Sequence, residues 1–236
     1  AGGQLPALQA AVNAFTSRVS QVQEMAVYAF DGRPEIVPLR NFGPGTVDVN
    51  LAGFKSTDPS TNLNGAVIKG IDVLEKHLAQ ATVPLRFGTL VVFTDGTDHA
   101  GRATREALLK AVCDVNFDVF VIGVGAEIDE YELSAIGKSG VALSRTPTAV
   151  GQQFDRIAAR IEAYSKRFYL LSYCSPARAG DHWLTVQPVG PEGLTGDLAY
   201  QFNANGFTPN CDPNRKPSFD VRRPRSGRGT KTRGEQ

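Results

Sequence analysis

In "LVVFTDGTD", residues 90–98, an apolar run ends on a carboxylate. Leu90, Val91, Val92 and Phe93 are continuous rather than alternating, the pattern of a strand covered on both faces. Ligands of open α/β sheets bind at the carboxyl ends of such strands. Asp95 could there meet a ligand, accept a phosphoryl group, or simply form a tight Asp-Gly turn. The phosphoryl reading describes a metal-dependent phosphotransfer or receiver-like domain. It needs an acidic cluster after the first strand and a lysine at a later strand end, and the tip of "FVIGVG" (120–125) carries no lysine.

Other enzyme signatures fail one by one. "GVGAEI" follows a strand-like run, but Ile128 occupies the third glycine position of a dinucleotide fingerprint. "GKS" at 137–139 would place the first glycine of a phosphate loop on Glu132. Ser139 lacks the second flanking glycine of a nucleophile elbow, because Val141 stands there. His77, His99 and His182 are scattered without metal-ligand spacing. No catalytic constellation emerges, and the chain reads as non-enzymatic.

Three cysteines divide unevenly. Cys113 lies in the helical pattern "ALLKAVCDV" and is expected to be a small buried hydrophobe. Cys174 and Cys211 both adjoin turn-forming residues, and their spacing matches no metal site. They are either two thiols or a disulfide. The disulfide is the expectation, and it would imply an oxidising compartment.

The elements that must position these residues follow from periodicity. Leu8, Val12, Phe15 and Val19 mark one helical face. "MAVYAF" and "EIVPL" flank "DGRP" as a hairpin, and 40–60 is loop-like. Leu63, Val67, Ile71, Leu74 and Leu78 share a second helical face, with Ser60 or Thr61 as its N-cap. Residues 90–93 then open a strand, followed by a helix at about 102–115 and the strand "FDVFVIGVG". A short helix near 129–138, a strand "GVALSR" and a helix carrying Val150, Phe154, Ile157, Ile161 and Tyr164 complete the alternation. Strands alternating with helices predict a parallel sheet with right-handed crossovers.

After Lys166 the pattern changes. "RFYLLSYCSP", "HWLTVQPVG" and "GDLAYQFN" are strand-like runs without intervening helices, with Trp183 expected in their core. The chain thus parses into an α/β domain (1–166), a C-terminal β extension (167–212) and a basic tail (213–236). Residues 215–236 carry eight Lys/Arg against Asp220 and Glu235, so a net charge of +1 conceals a body of −5. Lacking apolar content, the tail is expected to be disordered rather than to bind nucleic acid. No run of some 18 apolar residues predicts a membrane span, and no signal peptide is expected within the chain.

"STNLNGAVIKGIDVL" at 60–74 and "LVVFTDGTD" at 90–98, with "FVIGVG" and the hairpin "MAVYAFDGRPEIVPL", resemble in order and spacing the von Willebrand factor A domain family. The resemblance covers roughly residues 5–165. It implies a Rossmann-like, mostly parallel sheet flanked by helices, with a metal-ion-dependent adhesion site at the strands' carboxyl ends. Such a site takes Mg²⁺ (or Mn²⁺) through an Asp-x-Ser-x-Ser loop after the first strand, a threonine and an aspartate. By position Thr61 is the threonine and Asp95 the aspartate. Mg²⁺ takes six hard oxygen ligands, and an acidic side chain from a protein ligand would complete the shell. The resemblance also implies an interaction or adhesion module working outside the cytoplasm.

The departure from the family is its first strand. Neither Asp-x-Ser-x-Ser nor an apolar strand precedes the first helix, which leaves two of five coordinating positions. In the family that strand is central, so its absence leaves ladder groups unpaired on both flanks. Either the chain is an excerpt whose parent encodes strand and motif just upstream of Ala1, or its metal site is degenerate. Metal binding by this chain is expected to be weak or absent.

Overall fold

A computed structural model describes residues 5–43, 45, 48–125, 128–144, 150–190 and 193–214. The first four residues and all of the basic tail except Pro213 and Asn214 lie outside the described residues. The chain divides between Tyr169 and Leu170 into two compact units.

The first unit is built around three parallel strands, β3 (Thr89–Thr94), β4 (Asp118–Val124) and β5 (Gly140–Ser144). They pair in the order β3-β4-β5, with Val92 opposite Val121 and Ile122 opposite Ala142. Helices α3 (Arg105–Asp114) and α4 (Glu130–Ile136) make the crossovers, as parallel pairing requires. The continuous apolar pattern has a direct reason. Phe120, Ile122 and Val124 enter one core with α1 (Leu5–Val19) and α5 (Val150–Ser165), where Phe15 meets Phe154 at 5.2 Å between ring centroids. Val119 and Val121 enter the opposite core with α2 (Leu63–Gln80), α3 and α4. Arg18 of α1 also donates to Glu162 of α5 at 3.0 Å. The fold is therefore α/β, with a parallel sheet flanked by helices.

The hairpin forms as read, β1 (Val27–Ala29) antiparallel to β2 (Val37–Arg40), with Tyr28 opposite Pro38. It is a separate two-stranded sheet and does not join β3. Cys113 departs from expectation, being exposed. The buried stripe of α3 runs through Leu108, Val112 and the following Val115, and Cys113 sits about 100° round the helix from Val112.

The second unit holds one antiparallel ribbon, β6 (Asp181–Val186) with β7 (Leu198–Asn203). Two strand-like runs become strands, but the first, at 167–176, takes no regular structure. Its Tyr169, Leu171 and Tyr173 are exposed, and among the described residues no strand pairs with this run. Trp183, expected in a core, is 69% exposed. It lies opposite Gln201 on the ribbon face that also carries Asp181 and Thr185. Cys174 and Cys211 are bridged, with their Cα atoms 5.7 Å apart.

Candidate functional site

The carboxyl end of β3 is shaped by Thr94. Its side chain is buried, and its hydroxyl donates to the Gly96 carbonyl at 2.7 Å while accepting from the Gly96 N–H at 3.2 Å. This tight loop leaves Asp95 at its apex, exposed to solvent. The chain then turns back onto the segment before α2. The N–H groups of His99 and Ala100 donate to the Thr61 carbonyl at 2.9 and 3.0 Å. Asp98 accepts from Asn64 N–H through one oxygen and from Gly101 N–H through the other, each at 3.0 Å. The structure thereby ties the Asp95 loop to Thr61, although 34 residues of sequence separate Asp95 from Thr61.

Neither Ser60 nor Thr61 caps α2. The cap is Asn62, which is buried and accepts from Gly65 N–H at 3.2 Å. Its amide also donates to the Arg33 carbonyl at 2.8 Å, which a serine or threonine hydroxyl is too short to duplicate while capping. Thr61 is thus released from the capping role.

Behind Thr61 lies a polar latch. The Asp31 carboxylate, buried at 5% exposure, accepts from Arg33 Nε at 2.9 and 3.0 Å and from the N–H groups of Arg33 and Thr57, each at 3.0 Å. Burial alone would raise its pKa. The Arg33 guanidinium and the backbone donors outweigh that and hold the carboxyl well below the usual carboxylate range. Asn62 N–H donates to the Asp31 carbonyl at 3.1 Å. Asp58 accepts from the Ser60 hydroxyl at 2.7 Å and from Arg102 at 3.1 Å; Ser60 first, then Arg102, lowers its pKa. Arg102 also donates to the Gly32 carbonyl. A Cβ at Gly32 would collide with Ser60 Oγ and the Asp58 carboxylate, so glycine is required by close approach. Hairpin, loop and β3 terminus are locked together here.

Sequence reasoning missed this latch. "DGRP" was legible as a turn, but its bonds to Thr57, Asp58 and Asn62 are long-range. Asn62 alone carried a local signal, as a favoured N-cap residue immediately before the apolar helical face.

The latch consumes Asp31 and Asp58, and the loop consumes Asp98. Among the described residues no group of three His, Cys, Asp or Glu side chains is placed to hold a metal ion. Thr61 and Asp95 offer two oxygen donors, which do not fit the six-place shell of Mg²⁺. These two described donors do not by themselves make a complete site.

No family model matches the chain. A stretch of 76 residues is 36% identical to inter-alpha-trypsin inhibitor heavy chain H1 of Sus scrofa, covering 30% of this chain and 8% of that protein. Among solved structures, one titled von Willebrand factor type A from Catenulispora acidiphila matches over 84% of this chain and 51% of its own, at 16% identity and TM-score 0.48. The chain is similar to von Willebrand factor A domains. Proximal thread matrix protein 1 from the mussel byssus matches over 66% of this chain and 41% of its own, at 17% identity and TM-score 0.47. The chain thus spans about half the length of the first solved structure and under a tenth of the curated relative.

Proposed function

We propose that this chain is a non-enzymatic protein-interaction module of the von Willebrand factor A type, with its contact surface at the carboxyl end of β3. The observation that supports this most is the pair of hydrogen bonds by which the Asp95 loop grips Thr61. Two separate segments are tied by backbone bonds into a platform that carries the exposed Asp95. Thr61 and Asp95 are the candidate metal ligands, and a protein ligand bearing an acidic side chain is the candidate partner. The Cys174–Cys211 bridge supports an extracytoplasmic setting. Among the described residues no helix is long and apolar enough to cross a membrane.

Two measurements test this reading. Incubation with acetyl phosphate should leave the chain unlabelled, and a label abolished by Asp95→Asn would replace an interaction module with a phosphotransfer domain. Titration with Mn²⁺ should give at best a millimolar response, broadening resonances near Thr61 and Asp95. A micromolar dissociation constant, about 8 kcal/mol of binding, abolished by Thr61→Ala would mean that further residues complete the shell.

A further inference from the structure

The ribbon of the second unit holds the chain's single tryptophan on the side that does not pack. Along β6 burial alternates: His182, Leu184 and Val186 are half-buried, while Asp181, Trp183 and Thr185 are exposed. Through the cross-strand register the first three share a face with Phe202, Tyr200 and Leu198, and the second three with Asn203, Gln201 and Ala199. One face is therefore apolar and the other polar. The ring stacking of the ribbon belongs to the apolar face, with His182 on Phe202 at 5.7 Å between centroids and Phe202 on Phe207 at 5.9 Å. Trp183 stands opposite, among polar side chains. An indole gains from burial only if something covers it there from outside.

The neighbours of Trp183 define what that covering group is. Trp183 and Gln201 are the middle of three cross-strand pairs, with Asp181 and Asn203 at one end and Thr185 and Ala199 at the other. The Asn203 amide donates to the Asp181 carboxylate at 2.7 Å, and its oxygen accepts from Asn205 N–H at 3.0 Å, which fixes that end. From Asp181 to Thr185 the strip runs about 13 Å, longer than a single sugar ring. None of its six residues is lysine or arginine. A nucleotide would need cations for its phosphates, and an anionic lipid surface would need a basic rim. A protein anchor is best served by neighbours that exclude water, and these are polar. A neutral sugar matches both features. Its C–H face covers the indole, and its hydroxyls, each donor and acceptor, meet amide, carboxylate and hydroxyl groups around it. We infer that this face of the ribbon binds a neutral oligosaccharide, one pyranose ring stacked on Trp183 and hydrogen-bonded by Gln201, with the adjoining rings reaching Asn203 and Thr185.

The test uses the whole chain with its disulfide intact, and cellohexaose, mannohexaose and chitohexaose as probes. Because Trp183 is the single tryptophan, its fluorescence reads this face directly. At least one probe should shift the emission saturably, with a dissociation constant of about 1 mM or tighter. Gln201→Ala should weaken that binding by about fivefold to tenfold, the loss of one hydrogen bond. Leu198→Ser, on the apolar face, should leave it unchanged. In Trp183→Ser the probe should no longer move the amide resonances of β6 and β7, whose dispersion reports that the ribbon is still formed. No saturable response to any of the three probes overturns the inference, as does binding that survives Trp183→Ser. A response only to a lysine-flanked aliphatic peptide, or only to phosphatidylglycerol vesicles, overturns it too and gives the face to a protein or a membrane. The site lies wholly within the second unit, so failure of the Mn²⁺ or acetyl phosphate expectations would leave this result untouched.

Discussion

The two units of the chain cohere by different means. In the first, Val119, Val121, Ile122 and Leu133 are completely removed from water, and two cores close over both faces of the sheet. In the second, Ala204 is the one buried residue among those described from 170 to 214, while Tyr200 and Leu198 are about two-thirds exposed. Burying a large aliphatic side chain contributes roughly 1.5–3 kcal/mol, and the second unit has almost none of that to draw on. A two-stranded ribbon is marginal by itself in water. The bridge between Cys174 and Cys211 closes the segment around it, at a sequence separation of 37. Apolar residue types alone do not make a core; they need a second layer to meet.

The largest expected effect is on that covalent closure. In the chain-entropy model a loop of this length limits the unfolded ensemble by roughly 4 kcal/mol, more than a lone ribbon has to spare. Reduction, or Cys174→Ser, should therefore abolish amide protection across β6 and β7 while leaving β4 protected. Hydrogen exchange followed by residue distinguishes the units directly. Persistent protection in the reduced ribbon would show that some packing holds it instead.

Next in size is a cavity at the sheet's centre. Ile122→Ala should destabilise the first unit by about 2–5 kcal/mol, read as a shift in the urea midpoint, because tight surroundings relax only in part. Val91→Ala, at a partly buried position on β3, should cost clearly less, since a smaller group leaves a less enclosed place. Equal losses at the two positions would mean that β3 is as enclosed as β4 and would remove the contrast between them.

What was legible in the sequence follows the same division. Where a segment is long and its partners are supplied by the next crossover, as with α2, β3, β4 and α5, pattern identified the element, and in α2 and α5 it identified most of the buried face. It failed where the outcome depends on a partner rather than on pattern. "RFYLLSYCSP" has the composition of a strand but pairs with no strand among the described residues, and Trp183 is apolar but mostly exposed. Cys113 misled in a smaller way, one position off a stripe that Val112 and Val115 already fill. At the candidate site motif order nominated Thr61 and Asp95, and backbone hydrogen bonds from His99 and Ala100 to the Thr61 carbonyl join the two segments. The Asp31 latch was invisible, because hydrogen bonds from Thr57 and Asp58 to a turn carboxylate leave no periodic trace.

The smallest expected effect concerns that latch, a polar mode of cohesion within the otherwise apolar first unit. Asp31→Asn keeps the size of the side chain but removes the charge that Arg33 faces and turns one acceptor oxygen into a donor group. It should cost about 1.5–3 kcal/mol at neutral pH, the range for a hydrogen bond to a charged group. The pH dependence fixes the assignment. A carboxyl whose pKa is depressed on folding contributes stability that is present above its unfolded value, about 3.9, and lost as pH falls through the folded one. The urea midpoints of parent and Asp31→Asn should therefore lie apart at pH 7 and draw together below about pH 4. Asp58 and Glu162, also depressed, titrate in both proteins, so the difference isolates Asp31. The amide resonances of His99 and Ala100 should shift with the substitution, since Asn62 links Asp31 to the segment that holds Thr61. A gap that stays constant down to pH 2 would show that Asp31 supports the hairpin by shape alone. In that case the platform under Asp95 would owe its rigidity to the Asn62 cap and not to a buried charge.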